Sequence, residues 1–119
     1  MSELTAVKNA LDQIEAIDHV RNVALISRGG MFVMGTTPEE GHRETFAAMC
    51  AIVLGAGQTV TTELRDRLNE VKVMMGEKDL VLVSLGPRYL IAVTADRQVD
   101  DVAVVQEARS LADMIERML

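Results

Sequence analysis

The sequence predicts an α+β fold built on an antiparallel sheet, and three observations lead there. Helical spacing opens and closes the chain. Apolar runs too short for helices lie between, and the connections among the last three of these runs are too short for crossovers. The resulting order is helix, two strands, helix, three strands, helix. It spans 119 residues with no linker, repeat or low-complexity segment, so residues 1–119 read as one domain.

The first helix rests on Leu4, Val7, Leu11, Ile14 and Ile17, with Lys8, Asp12 and Glu15 on the other side and Ser2 placed to cap it. His19 and Asn22 bracket the following turn. Val23-Ala24-Leu25-Ile26 and Met31-Phe32-Val33-Met34 then form a hairpin through Arg28-Gly29-Gly30. Thr37-Pro38-Glu39-Glu40 has the form of a capping box with proline at the first helical position, so a helix is expected from there or, because Gly41 weakens the first turn, a few residues later. It should run to about Arg67.

Val71, Val73 and Met75 alternate with Lys72 and Met74 as a half-buried strand. Leu80–Leu85 and Tyr89–Thr94 are strands whose apolar runs are those expected of central strands covered on both faces. Asp100 or Asp101 starts a last helix, with Val104, Ala108, Leu111, Ile115 and Met118 along one side and Arg109 and Arg117 toward its negative end.

Composition narrows the function. A net charge of -6, with the bases scattered among acids, argues against a nucleic-acid or anionic-membrane surface. No apolar run approaches the ~20 residues needed to span a bilayer, and Met1-Ser2-Glu3-Leu4-Thr5 lacks the form of a signal peptide. Cys50, the one cysteine, fits a reducing cytoplasm.

Catalytic and cofactor chemistry finds no complete set. Gly55-Ala56-Gly57 resembles the start of a dinucleotide fingerprint, but Val60 stands where the third glycine belongs, and no glycine cluster ends in Gly-Lys-Ser/Thr. His42 and Cys50 could be a base and a thiol, yet Cys50 sits among apolar neighbours and reads as a buried, inert thiol. The pairs Glu39-Glu40 and Asp100-Asp101 stand at helix starts, where capping explains them. No cofactor, metal or catalytic residue is therefore expected. Arg28, in the hairpin turn, is a candidate contact to a protein partner.

The middle helix carries more apolar surface than one sheet needs. Phe46, Met49, Val53, Ala56, Val60 and Leu64 form a stripe that suffices to pack it on its own sheet. Roughly opposite lie Ala47, Ala51 and Gly55, spaced by four, with Leu54 beside them. The same face turns polar at Gln58, Thr62 and Arg65. A small-residue ridge lets a second helix approach closely, so this face is expected to meet a partner.

The element order, with Val23-Ala24-Leu25-Ile26-Ser27-Arg28-Gly29-Gly30-Met31, the Ala-rich middle helix and Tyr89-Leu90-Ile91-Ala92-Val93 leading into the final helix, resembles the roadblock family. That family includes the roadblock-type dynein light chains and prokaryotic regulators of Ras-like GTPases. The resemblance runs from Leu4 to Leu119. One departure is the Arg28-Gly29-Gly30 turn, where the family often has Asp-Gly.

The resemblance implies a roadblock/profilin-like αββαβββα fold, one five-stranded antiparallel sheet in order 2-1-5-4-3 with helices on both faces. It also implies a homodimer that pairs the middle helices and third strands. That would place Ala47, Ala51, Leu54, Gly55 and Gln58 of the helix, with Val71 and Val73 of the strand, in the interface. The implied function is a non-catalytic regulator or scaffold for a Ras-like small GTPase. A structural adaptor of a larger assembly, without effect on nucleotide turnover, is the alternative.

Overall fold

The computed structural model describes residues 2–118, so Met1 and Leu119, the last residue of the resemblance, lie outside the described residues. Three helices and five strands follow one another as α1 (Glu3–Glu15), β1 (Val20–Ser27), β2 (Phe32–Gly35), α2 (Arg43–Glu63), β3 (Glu70–Met74), β4 (Lys78–Leu85), β5 (Tyr89–Asp96) and α3 (Asp101–Met118). The strands form one sheet in the order β2-β1-β5-β4-β3, and every neighbouring pair is antiparallel. This is the α+β architecture and strand order expected above.

The alternation of side chains along each strand splits the core into two layers. Val23, Leu25, Val81, Val83, Ile91 and Val93 face one way and meet Val7, Leu11 and Ile14 of α1 and Val104, Leu111 and Ile115 of α3. Ala24, Ile26, Leu82, Leu90 and Ala92 face the other way, against Ala47, Cys50 and Leu54 of α2. The central strands β1, β4 and β5 are buried on both faces, which is why they read as unbroken apolar runs.

Several boundaries move. The sheet begins earlier than the turn expected at His19–Asn22: His19 takes φ 75°, β1 starts at Val20, and Asn22 Oδ1 accepts a bond from the Thr94 hydroxyl at 2.8 Å. The Thr37–Glu40 segment does not open a helix. It forms a turn, and Glu40 instead pairs with Lys78 across the loop. The helix begins at Arg43, with His42 at its cap position and no side-chain cap bond. At its other end α2 stops at Glu63, short of Arg67, because Arg65 enters the left-handed region at φ 58°. The Arg65 and Asp66 amides then donate to the Thr62 and Thr61 carbonyls, the Schellman arrangement with arginine where glycine is usual.

At the start of α3 the two aspartates divide their tasks. Asp100 Oδ1 accepts from the Ala103 amide and caps the helix. Asp101 turns to Lys72, whose ammonium lies 2.6 Å from Asp101 Oδ2 and 3.5 Å from Asp79 Oδ2. Asp79 is buried in β4, and its other oxygen has no hydrogen-bond partner among the described residues. Lys72 thus joins the edge strand β3 to β4 and α3.

The bond to Asp101, together with the nearby charges of Asp101 and Asp79, holds the Lys72 ammonium above its ordinary pKa of 10.5. A base whose pKa is raised by folding stabilises the fold fully below its unfolded value, and that contribution is lost as pH rises through the folded one. Lys72→Met should therefore lower the melting temperature clearly at pH 7, and the gap to the wild type should narrow above about pH 10.5. Asp79→Asn in the Lys72→Met background should restore part of the loss, because no buried charge is then left without a partner. Thermal melts of the three proteins across pH measure this; a Lys72→Met melt equal to wild type at pH 7 would refute it.

Candidate interaction surface

Helix α2 lies alone on its side of the sheet, and its two faces are the reverse of the sequence expectation. Ala47, Cys50 and Leu54 are buried against the sheet, with Phe46 and Ala51 packed beside them. Of the stripe assigned to the core, only Phe46 packs inward; Met49, Val53, Val60 and Leu64 are exposed, and so is Ile52, outside that stripe, to 61%. Ala47 and Leu54 consequently have no surface left for a partner, so their expected place in an interface is corrected: both belong to the core of this sheet face. Ala51, Gly55 and Gln58 are half-buried on the flanks.

The physical reason is the distance of approach. Gly30, in the β1–β2 turn at φ +94°, leaves only 3.2 Å between a would-be Cβ and the Ala48 Cα. The small residues of α2 are what allow the helix to lie that close to its own hairpin. Sequence periodicity places two apolar stripes on the helix but cannot say which one the sheet takes.

The outer face is thus a continuous apolar surface on a helix of 21 residues. By length and composition α2 is also long and apolar enough to cross a membrane, although its apolar residues are interrupted by Gly, Gln and Thr and form no unbroken run of that length. In this fold it supplies the core of one sheet face, and the charged Arg43, Glu44 and Glu63 mark its ends. Beside it, β3 forms an edge of the sheet, with Val71 packed under α2 and Val73 half-buried. The outer backbone edge of β3 pairs with no strand among the described residues, and such an edge is a template for strand addition.

A family model for the Roadblock/LC7 domain matches residues 6–95, from α1 through nearly all of β5. The chain belongs to the Roadblock/LC7 family. No curated protein matches it. Among solved structures it is similar to a Roadblock/LC7 domain from Streptomyces avermitilis, at 18% identity over 91% of this chain and 92% of that one, with a TM-score of 0.78. It is similar to MglB of Myxococcus xanthus, at 14% identity over 98% and 96% of the two chains and a TM-score of 0.82. Acanthamoeba castellanii profilin II is more distant, at 13% identity over 93% and 94% and a TM-score of 0.61. At such identities the likeness speaks for the fold, which is profilin-like as expected.

Within this Roadblock/LC7 domain the remaining candidate residues fall in separate places. Cys50 faces the sheet, and burial pushes its thiol pKa up to about 11, so it carries almost no thiolate at neutral pH. His42 is exposed at the start of α2. A disulfide-exchange reagent at pH 8 should therefore label Cys50 only as the protein unfolds, with native labelling at least a hundredfold slower than in denaturant. Equal rates in the two conditions would show that the α2–sheet seam is open. Among the described residues no group of three or more His, Cys, Asp or Glu could hold a metal ion.

Arg28 does not project from its turn. Its amide donates to the Arg88 carbonyl, tying the β1–β2 turn to the β4–β5 turn. Its guanidinium reaches back toward the Ser84 hydroxyl, 3.5 Å away. Arg109, expected to serve the end of α3, instead donates to Asn69 Oδ1 in the loop before β3 at 2.9 Å. Sequence reading gave no sign that these two arginines would line the same cavity.

Proposed function

We propose that this Roadblock/LC7 domain is a non-catalytic, homodimeric regulator or scaffold for a Ras-like small GTPase, working in the cytoplasm. The single observation that carries the reading is the exposed apolar face of α2, flanked by the free edge of β3. Monomeric soluble domains rarely leave a contiguous apolar patch of this kind uncovered. A two-fold contact of α2 on α2, with β3 beside β3, would cover it with a second copy of the same surface. Val71 and Val73 keep their place beside this interface, and Met49, Ile52, Val53 and Val60 take the places of Ala47 and Leu54. The GTPase follows from the family, whose prokaryotic members include regulators of Ras-like GTPases.

The dimer would act as a platform. GTPase switch segments are ordered by the γ-phosphate and loosened on hydrolysis, so a protein that touches them binds the two nucleotide states unequally. Regulation would then come from positioning the GTPase's own residues, since Arg28 is folded back rather than extended. The test is binding of each Ras-like GTPase from the same organism, loaded with GDP or a non-hydrolysable GTP analogue. We expect at least one to bind with a tenfold preference for one state, about 1.4 kcal/mol. Binding of none would leave the structural adaptor as the better reading.

A further inference from the structure

Beyond the dimer face, one end of the sheet holds a polar cavity of about 540 Å³, lined by residues distant in sequence. Arg28 enters it from the β1–β2 turn, Arg67 from the loop after α2 and Arg109 from α3. Thr61 of α2 and Ser84 of β4 add hydroxyls, and Asp66 is the only carboxylate in the lining. None of the three guanidiniums forms an ion pair among the described residues, although the chain carries 18 acidic side chains against 12 basic ones. Lys8, Arg21, Lys72 and Lys78 each have a carboxylate partner, while Arg43, Arg65, Arg88, Arg97 and Arg117 likewise form no ion pair among the described residues, so it is the gathering of three such arginines around one cavity that is distinctive.

We propose that this cavity binds a small phosphate monoester or diphosphate. Three guanidiniums against one carboxylate leave two positive charges, which a phosphate monoester, close to a dianion at pH 7, neutralises. Arginine forks match phosphate oxygens in pairs. The Ser84 hydroxyl, which accepts from Arg28, keeps its proton to donate to a remaining oxygen, whereas the Thr61 hydroxyl already donates to the Gln58 carbonyl at 3.0 Å. The size suits a small polar molecule. The negative end of α2, which would repel an anion, is blunted because its last carbonyls already accept the amides of residues 64–66. Arg28 is half-buried with no carboxylate partner among the described residues, and that burial lowers its pKa. Pairing with a phosphate would offset that cost.

The experiment is calorimetric titration of the full chain, with no GTPase present, using glycerol 3-phosphate and pyrophosphate in 50 mM salt. Its outcome is therefore independent of the GTPase reading. We expect dissociation constants below about 1 mM, weakening as salt rises. Arg28→Met and Arg109→Met should each weaken binding at least tenfold. Arg43→Met, whose guanidinium stacks on Phe32 outside the cavity, should leave it unchanged. Should Arg28→Met fail to fold, as judged by circular dichroism, Arg67→Met in its exposed loop replaces it with the same expected loss. No binding of either probe, or binding equally weakened by Arg43→Met, would overturn the proposal. Tighter binding of a phosphoserine peptide than of glycerol 3-phosphate would also overturn it, by assigning the cavity to a protein partner.

Discussion

Ile52→Glu should give a folded protein that sediments as the 13.0 kDa chain, whereas Ala47→Glu should give no stable fold. The two positions lie on opposite faces of α2. Ile52 is exposed, so a glutamate there is solvated in the single chain and costs the fold little. In the proposed two-fold dimer the same glutamate meets its own copy across an apolar contact, where like charges cannot be paired. We expect dissociation to rise on the order of a hundredfold, about 2.7 kcal/mol.

Ala47 is fully buried between α2 and the sheet, beside Ala24, Leu90 and Ala92. A glutamate there has neither room nor a cation. The expected loss is roughly 3–5 kcal/mol, much of what a domain of this size has in total. Light scattering and thermal melts on both variants separate the faces of the helix. A dimer that survives Ile52→Glu would remove this face as the interface, and a folded, monomeric Ala47→Glu protein would restore the small-residue ridge as the contact.

Gly35→Ala should be nearly as damaging, for a backbone reason. Gly35 ends β2 opposite Ala24 at φ +109°, a conformation that L side chains rarely adopt. A Cβ on it would fall 2.2 Å from the Val23 carbonyl oxygen and 3.0 Å from the Ala24 Cα. Both are backbone atoms of the central strand β1, which is held by β5 on its other side and cannot retreat. The Thr36 amide also donates to the Val23 carbonyl at 2.7 Å, and the Val23 amide donates to the Thr36 hydroxyl at 3.0 Å. Relieving the clash therefore breaks bonds at the same place. We expect a loss of roughly 3–4 kcal/mol, combining strained backbone with disrupted pairing. Urea denaturation measures it, and a loss under about 1 kcal/mol would mean that β2 can detach from β1 at little cost.

Much of the fold was legible because the central strands and the outer two helices each carry one unambiguous signal. Leu80–Val83 and Leu90–Val93 are apolar without interruption because α1 and α3 cover one face and α2 the other. Helix α3 has a single apolar side, at Val104, Ala108, Leu111 and Ile115, and all four are buried as the spacing requires. The boundaries were less legible where a local signal was outweighed. The Thr37–Glu40 capping pattern is genuine in sequence, yet Glu40 is drawn to Lys78, a partner 38 residues away. The end of α2 carries no glycine, so the turn at Arg65 has no residue-level sign.

What the sequence by itself determined is the order of elements, the antiparallel sheet and the presence of surplus apolar surface on the middle helix. Each follows from local spacing and composition, which act over a few residues. What only the tertiary structure decided is the direction in which that helix turns. Both of its stripes are apolar, and hydrophobic burial alone does not distinguish them. The choice falls to shape: Ala47, Ala48 and Ala51 let the helix close onto the Gly30 turn, where larger residues would hold it away. The larger side chains, Met49, Ile52 and Val53, are left outside as a consequence. The same assembly brings Arg28, Arg67 and Arg109 around one cavity from three distant segments, a grouping that no spacing in the chain encodes.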